Sequence, residues 1–74
     1  MMDWILTDNA AYDANRLGVG IEEIVKVCEN PEWTYASSVY DGASVAVGGR
    51  LAVPHDVNNR IVLGVTWQST WRRK

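Results

Sequence analysis

The 74-residue chain has one cysteine, one histidine, two prolines and no phenylalanine. Because Cys28 has no second cysteine to pair with, a disulfide-stapled fold is excluded and a reducing compartment, the cytoplasm, is favoured. Cys28 and His55 are 27 positions apart, which matches no recognised zinc-ligand spacing. We therefore expect no bound metal and no other cofactor.

Long apolar runs are also missing. No stretch approaches the ~20 apolar residues that a membrane-spanning helix requires, so we expect no membrane association. Residues 1–13 contain neither a basic segment nor a long apolar core, so we do not interpret them as a secretory signal. The composition is that of an ordinary globular domain, since 47% of the residues are hydrophobic and 22% are charged.

The length predicts a single domain, which we place at residues 1–74. A domain of this size buries only about 60% of the surface that its unfolded chain exposes, so its core is small. Contacts with a partner protein or with a second copy of the chain often stabilise such a domain. A protein partner or a homodimer is therefore an expectation from size alone.

Charge is unevenly distributed along the chain. Residues 1–49 contain eight acidic and two basic residues, a net charge of −6, whereas residues 50–74 contain five basic and one acidic residue, a net charge of +4. The asymmetry indicates either a surface for an oppositely charged partner or a solvated surface that carries both signs. The pI near 5.1 argues against binding RNA mainly through its phosphates, although residues 50–74 offer a local basic patch.

The first helix is predicted over residues 8–17. Thr7 or Asp8 can cap its start, because a short side-chain oxygen there accepts a hydrogen bond from a free backbone N–H group. Gly18 suits the left-handed conformation that often follows a helix end. The helix therefore has a start signal and a stop signal.

The second helix has the clearest periodicity in the chain. Apolar residues recur at i, i+3, i+4 and i+7, forming one stripe: Ile21, Ile24, Val25 and Cys28. Asn30 precedes Pro31 and ends the helix, because a residue before proline is disfavoured in the helical region. Cys28 lies on the stripe, so we interpret it as a small core residue.

Strand signals flank these helices. Residues 4–6 predict a brief edge strand, and residues 33–40 (WTYASSVY) are rich in β-branched and aromatic residues and predict a longer one. Residues 43–53 (ASVAVGGRLAV) predict a hairpin that turns at its two central glycines. Pro54 is expected to end that hairpin.

Residues 55–59 (HDVNN) then predict a polar loop, and residues 60–67 predict the longest strand. Gly64 marks a bulge or a close backbone approach within it. One face of this strand is expected to carry Ile61, Leu63, Val65 and Trp67. The predicted fold class is α+β: a short strand, two helices and a three- to four-stranded antiparallel sheet, packed as a two-layer sandwich.

Several stretches resemble a known toxin family. Residues 16–24 (RLGVGIEEI) are similar to a family stretch of a basic residue, His, Gly, Val, Ser, Phe, Glu, Glu and Ala, and Asn30-Pro31 matches an Asp/Asn-Pro pair beyond it. Further matches in the second half are Gly49-Arg50-Leu51, Val53, His55 and Arg60-Ile61. The chain thus resembles the RelE/ParE-like toxin superfamily, and more closely the BrnT-type toxins and related small phage and bacterial domains. The resemblance implies a RelE-like fold and a toxin–antitoxin setting.

The chain also departs from that family at positions where polar residues are usual. Leu17 replaces the histidine that precedes the turn glycine, and Asn9 lies where related domains carry a histidine. Trp67 and Arg73 lie where the family has a basic residue and then a glutamate. These departures predict that the ancestral ribonuclease site is eroded and that the protein acts by binding a host or cognate protein, such as an antitoxin.

An active ribonuclease toxin is the alternative, and it requires a group that titrates near neutral pH. His55 is the one histidine and is its candidate general acid or base. Arg16, Arg50 and Arg60 are its candidates for contacting phosphate. The opposing interpretation is that His55 is a polar loop residue after Pro54, without a catalytic role.

Tryptophan is abundant, with four residues in the chain. Trp4, Trp33 and Trp67 fall on strand positions and are expected in the core or on a sheet face. Trp71 stands beside basic residues, a composition typical of binding hot spots, unless it folds over the sheet as a lid. The predicted partner-binding surface therefore comprises Arg60, Trp67, Trp71, Arg72 and Arg73. A third hypothesis is self-assembly through an exposed edge strand.

Overall fold

The computed structural model describes residues 4–68 and has an α+β fold, which confirms the predicted class. The helices and strands, in chain order, are β1 (Ile5–Leu6), α1 (Asp8–Leu17), α2 (Ile21–Glu29), β2 (Trp33–Ala36), β3 (Ser44–Gly48), β4 (Leu51–Asp56), β5 (Ile61–Val62) and β6 (Thr66–Trp67). Two helices pack on one face of a six-stranded sheet. Within residues 4–68, no helix is long and apolar enough to cross a membrane.

Both helices form where local signals predict them. The Thr7 hydroxyl accepts a hydrogen bond from the Ala10 N–H at 3.1 Å, which satisfies one of the free donors at the start of α1. Gly18 adopts a left-handed conformation with φ of 73° after the last helical residue. The Asn30 N–H donates to the Lys26 carbonyl at 2.9 Å and closes α2 before Pro31. The predicted bounds of α1 are confirmed.

The sheet is mixed rather than antiparallel, so that part of the prediction is wrong. Its strand order is β1-β5-β4-β3-β2, and β6 pairs with β4 beside β5. β1 runs parallel to β5, with Ile5 beside Ile61, whereas the other pairs are antiparallel. The Ile5 N–H donates to the Arg60 carbonyl at 2.9 Å. The sheet has more strands than expected because β1 joins its edge and residues 60–67 form two strands.

A β-bulge divides the strand predicted over residues 60–67. Val62 pairs with His55, and Thr66 pairs with Ala52. Between these pairs β4 contributes two residues, 53 and 54, whereas the opposing segment contributes three, 63–65, so one residue is extra. The bulge foreseen at Gly64 is confirmed. The single apolar face expected for this strand is wrong, because the extra residue reverses the alternation and puts Val62 and Trp67 on the same side.

Pro54 lies inside β4 and does not end it, contrary to the prediction. It pairs with Val45. In a two-residue hairpin Ala52–Val47 is a non-hydrogen-bonded pair, and Pro54–Val45 is of the same kind because it lies two pairs further along the ladder. The missing N–H of Pro54 therefore faces the bulge and not β3. Its carbonyl accepts from the Leu63 N–H at 2.8 Å. His55 and Asp56 consequently belong to the strand and not to the expected loop.

The main core lies between the helices and the sheet. Its largest fully buried side chains are Ile24, Leu51, Val53 and Val62. Cys28 is buried in this cluster, as predicted, and desolvation together with the neighbouring charge of Glu29 raises the pKa of its thiol to about 12. A second, smaller cluster lies on the helix-free face of the sheet and consists of Val45, Val47 and Ala52.

Candidate functional site

His55 is a buried strand residue, 3% exposed, and not a loop residue. Its Nδ1 lies 3.1 Å from the Val53 carbonyl oxygen, and because a carbonyl only accepts, Nδ1 carries the proton. The imidazole packs edge-on against Trp4, with ring centroids 5.7 Å apart. The ring is therefore held in the core and does not project into a cleft where a substrate could reach it.

Arg60 approaches the same tryptophan from outside. Its guanidinium carbon lies 6.0 Å from the centroid of the Trp4 ring, and its backbone adopts a left-handed φ of 56°. The Trp4 Nε1–H donates to the Glu29 carboxylate at 3.1 Å. Trp4 thus connects His55, Arg60 and Glu29, a contact set that strand patterning did not predict.

The other two nuclease candidates lie elsewhere. Arg16 is in the last turn of α1, 3.8 Å from the Asp13 carboxylate. Arg50 precedes β4, whereas His55 lies five residues further along that strand, roughly 17 Å away for extended chain. The structure brings His55 and Arg60 to Trp4, and it does not bring Arg50 to them.

Arg50 is bound to α2 by a bidentate ion pair. Its Nε and Nη2 donate to the two carboxylate oxygens of Glu23, each at 2.9 Å. These hydrogen bonds lower the pKa of Glu23 and raise the pKa of Arg50. The guanidinium also lies 5.0 Å from the ring centroid of Trp67.

The described part of the predicted partner-binding surface is divided in two. Arg60 lies beside the pair of Ile61 with Asp56, and Trp67 pairs with Leu51 at the opposite end of β4. Trp71, Arg72 and Arg73 lie outside the described residues. These five residues remain predicted contact residues, and Trp67 is the one that joins the groove described next.

The most prominent exposed aromatic pair is on the helix-free face of the sheet. Trp33 and Tyr35 are 47% and 53% exposed, although they lie beside the buried residues Val47 and Val45 of β3. The two aromatic residues share a face because side chains alternate along a strand. They line one side of a groove of about 360 Å³, whose described lining is Trp33, Tyr35, Val47, Ala52, Thr66, Trp67 and Gln68. We call this surface the aromatic face.

β2 carries that pair and is shorter than the strand predicted over residues 33–40. It ends at Ala36 because the Ser37 hydroxyl accepts from the backbone N–H groups of Val39 and Tyr40, at 3.1 and 2.9 Å. The Ser37 N–H donates to the Ala43 carbonyl at 2.9 Å. These bonds turn the chain back into β3 directly after the aromatic pair.

β2 is also an edge strand: among residues 4–68 it pairs with β3 alone. Because hydrogen-bonded pairs alternate, the Ser37–Ala43 bond directs the backbone groups of Trp33 and Tyr35 toward β3. The backbone groups of Thr34 and Ala36 face away from the sheet. Residues 33–36 contain no charge and no proline, the features that commonly block an edge.

Comparison with known proteins gives no match: no protein-family model, no curated protein and no solved structure is significantly similar to this chain. The resemblance to the BrnT-type and RelE/ParE-like toxins therefore stays a prediction from the quoted motifs. Function is inferred instead from the geometry of the described residues.

Proposed function

We propose that this chain is a protein-binding domain and that the aromatic face is its contact surface. One observation carries the proposal: Trp33 and Tyr35 stand half exposed over a buried apolar floor formed by Val45, Val47 and Ala52. Tryptophan and tyrosine dominate binding hot spots because they bury large areas with few rotatable bonds. Exposing these side chains to water gives a monomer no hydrophobic stabilisation.

The chemistry of the groove favours a protein over a nucleic acid. None of its described lining residues is charged. Phosphate contacts from lysine and arginine supply most of the affinity for nucleic acid, and the nearest arginine, Arg50, is held by Glu23. An apolar groove with tryptophan and tyrosine at its rim instead fits an apolar or aromatic peptide surface.

The ribonuclease alternative receives no comparable support. His55 is enclosed between Trp4 and its own strand, and Arg50 lies at the other end of β4. A general acid must reach the leaving oxygen directly or through one water. We therefore propose binding as the activity, in line with the eroded site inferred from Leu17.

Site-specific photocrosslinking in the source cells tests the proposal. A photoreactive residue at position 33 or 35 is expected to give a discrete protein adduct, whereas the same residue at position 12 is not. Tyr12 is the matched control because it is an exposed aromatic residue, 66% exposed, on helix α1. The adduct partner is identified by mass spectrometry and then purified.

Binding of the purified partner is next measured by titration calorimetry. Trp33→Ala and Tyr35→Ala are expected to weaken it at least tenfold, as for hot-spot residues, while Tyr12→Ala leaves it unchanged. Equal affinities for all three variants and the wild type would overturn the assignment of the aromatic face.

A further inference from the structure

We infer that β2, the edge strand that carries Trp33 and Tyr35, pairs antiparallel with β2 of a second copy of this chain across a two-fold axis at Thr34, so that the aromatic faces of the two copies join side by side. The inference rests on the proposed function and names a partner for the same surface. It follows from three features of β2: the direction of its backbone groups, the spacing of its aromatic residues and the position of its nearest charge.

The backbone groups of Thr34 supply the centre of the pairing. Both its N–H and its carbonyl face away from β3, so two copies of Thr34 form a hydrogen-bonded pair across the axis. The Ala36 N–H of each copy then faces the Glu32 carbonyl of the other. The Glu32 N–H takes no part, because it donates to the Val47 carbonyl at 2.7 Å.

The side chains are self-complementary in this register. Trp33 of each copy lies opposite Tyr35 of the other, in a non-hydrogen-bonded pair, the kind in which side chains approach most closely. Two aromatic cross-strand pairs thus form on the aromatic face of the joined sheet. A register centred on Tyr35 would place Trp33 opposite Ser37 and lose both of these pairs.

Charge does not oppose the pairing. The nearest charged residue, Glu32, falls opposite the uncharged Ala36, so no like charges face each other across the axis. Each chain carries a formal net charge of only −2. Natural edge strands commonly carry charges that repel a second copy. Antiparallel pairing of β2 meets no such like-charge contact along the strand.

The area available sets the strength of this contact. An aromatic side chain buries about 150–250 Å² in full, so four that are half exposed bury at most roughly 400 Å² between them. A stable specific interface buries about 1,200 Å² or more. The dimer is accordingly a weak one whose population depends on protein concentration.

Sedimentation velocity over a range from about 5 to 500 μM measures this association. The wild type is expected to shift from monomer toward dimer with concentration. Thr34→Pro removes the outward N–H and weakens dimerisation at least tenfold, while Thr34→Val keeps that N–H and matches the wild type. A wild type that stays monomeric, or equal dimerisation by the two variants, would overturn the inference.

A charge-exchange pair tests the register and avoids any folding effect of proline. Trp33→Lys and Tyr35→Glu each dimerise more weakly than the wild type when studied alone. In a mixed dimer the introduced lysine of one copy lies opposite the introduced glutamate of the other, and one tryptophan–tyrosine pair is kept. The mixture therefore associates at least tenfold more tightly than either variant. A mixture no tighter than its components contradicts the pairing.

Failure of this inference is distinguishable from failure of the proposed function. A monomeric wild type that still binds a purified partner through Trp33 overturns self-pairing alone. Circular dichroism of every variant establishes that it is folded, so a loss of association reports on the interface. A partner that binds equally well without Trp33 overturns the proposed function instead, whatever the oligomeric state.

Discussion

Arg50 and Glu23 form a two-point ion pair that fastens the β3–β4 turn to the first turn of α2. Both atom pairs are 2.9 Å apart, which is the geometry of a planar guanidinium facing a carboxylate. The same guanidinium lies over Trp67, whose side chain packs against the main core. The pair therefore links α2 to the end of the sheet at which β4 pairs with β6.

Removing the pair with Glu23→Gln is expected to lower Tm by about 2–4 °C at neutral pH, since both partners are partly exposed and solvent screens them. The pKa of Glu23 in the folded state lies below its ordinary value of 4.5. The pair thus stabilises the fold above pH 4.5, and this contribution disappears as the pH falls through the lower, folded-state value.

Thermal melts of the wild type and Glu23→Gln between pH 7 and pH 3 measure this effect. Glu22→Gln is the matched control, because Glu22 shares the first turn of α2 and makes no ion pair among the described residues. A difference between wild type and Glu23→Gln that does not shrink as the pH is lowered, or an equal effect of Glu22→Gln, contradicts the prediction.

Leu51→Ala is expected to destabilise the fold by roughly 2–5 kcal/mol, because Leu51 is fully buried where β4 meets β6 and the helices. Such a loss is a large part of the stability of a small domain. Urea unfolding measures it. Val57→Ala, at a side chain 59% exposed, is the control and is expected to be nearly neutral. Similar midpoints for the two variants would be inconsistent with the core assignment.

Cys28 is expected to be inert in the folded state. Burial raises the pKa of its thiol from 9.0 to about 12, and only the thiolate reacts with aromatic disulfide reagents. At pH 8 the thiolate fraction of the native chain is roughly 1,000-fold lower than that of the urea-unfolded chain, so the native chain should react far more slowly. Comparable rates in the two states would place the thiol at the surface.

The same raised pKa makes stability depend on pH in alkali. The unfolded thiol ionises near pH 9.0 and the folded one near 12, so this contribution to stability is complete below pH 9 and is lost as the pH rises toward 12. Urea midpoints at pH 7 and pH 10 measure the fall. Cys28→Ala lacks the titrating group and should show a shallower one.

His55→Ala is expected to act on stability and not on a reaction. It removes the contact with Trp4 and the hydrogen bond to the Val53 carbonyl, a cost of about 2–4 kcal/mol. Circular dichroism melts measure this loss. If the purified wild type instead cleaved RNA and a folded His55→Ala variant did not, the ribonuclease alternative would replace the binding proposal.

The helices could be predicted because their signals are local. Thr7, Gly18 and Pro31 each act within one turn of chain, and the stripe of α2 repeats within a single element. The hairpin is also predicted locally, but its turn is Gly49-Arg50 and not the expected Gly48-Gly49, because Gly49 adopts the left-handed φ of 54° and Gly48 pairs with Leu51, which shifts the turn by one residue. The helices therefore appear where the sequence patterns place them.

The sheet was harder to predict because distant groups determine it. The bulge at residues 63–65 depends on Pro54, and on the Asp13 carboxylate, which accepts from the Val65 N–H at 3.3 Å. No pattern within residues 60–67 reports a side chain from α1. Parallel pairing of β1 with β5 likewise depends on how the helices return the chain.

The binding surface is only partly predictable for a similar reason. Alternation along β2 places Trp33 and Tyr35 on one face of the sheet. It does not show whether the helices cover that face or the opposite one. The sequence pattern points instead to the basic end of the chain, where Trp67 is the described residue that lines the groove. Exposure, which identifies the aromatic face, is a property of tertiary packing.

Parallel pairing of β1 with β5 has a consequence for synthesis on the ribosome. Ile5 pairs with Ile61, which is synthesised 56 positions later. At about 5–20 residues per second, Ile61 is added roughly 3–11 s after Ile5. Throughout that interval the ring of Trp4 lacks the cover that His55 and Arg60 later provide. β1 thus leaves the ribosome well before the strand that completes its pairing, and the nascent chain carries an uncovered tryptophan until residues 55–60 emerge.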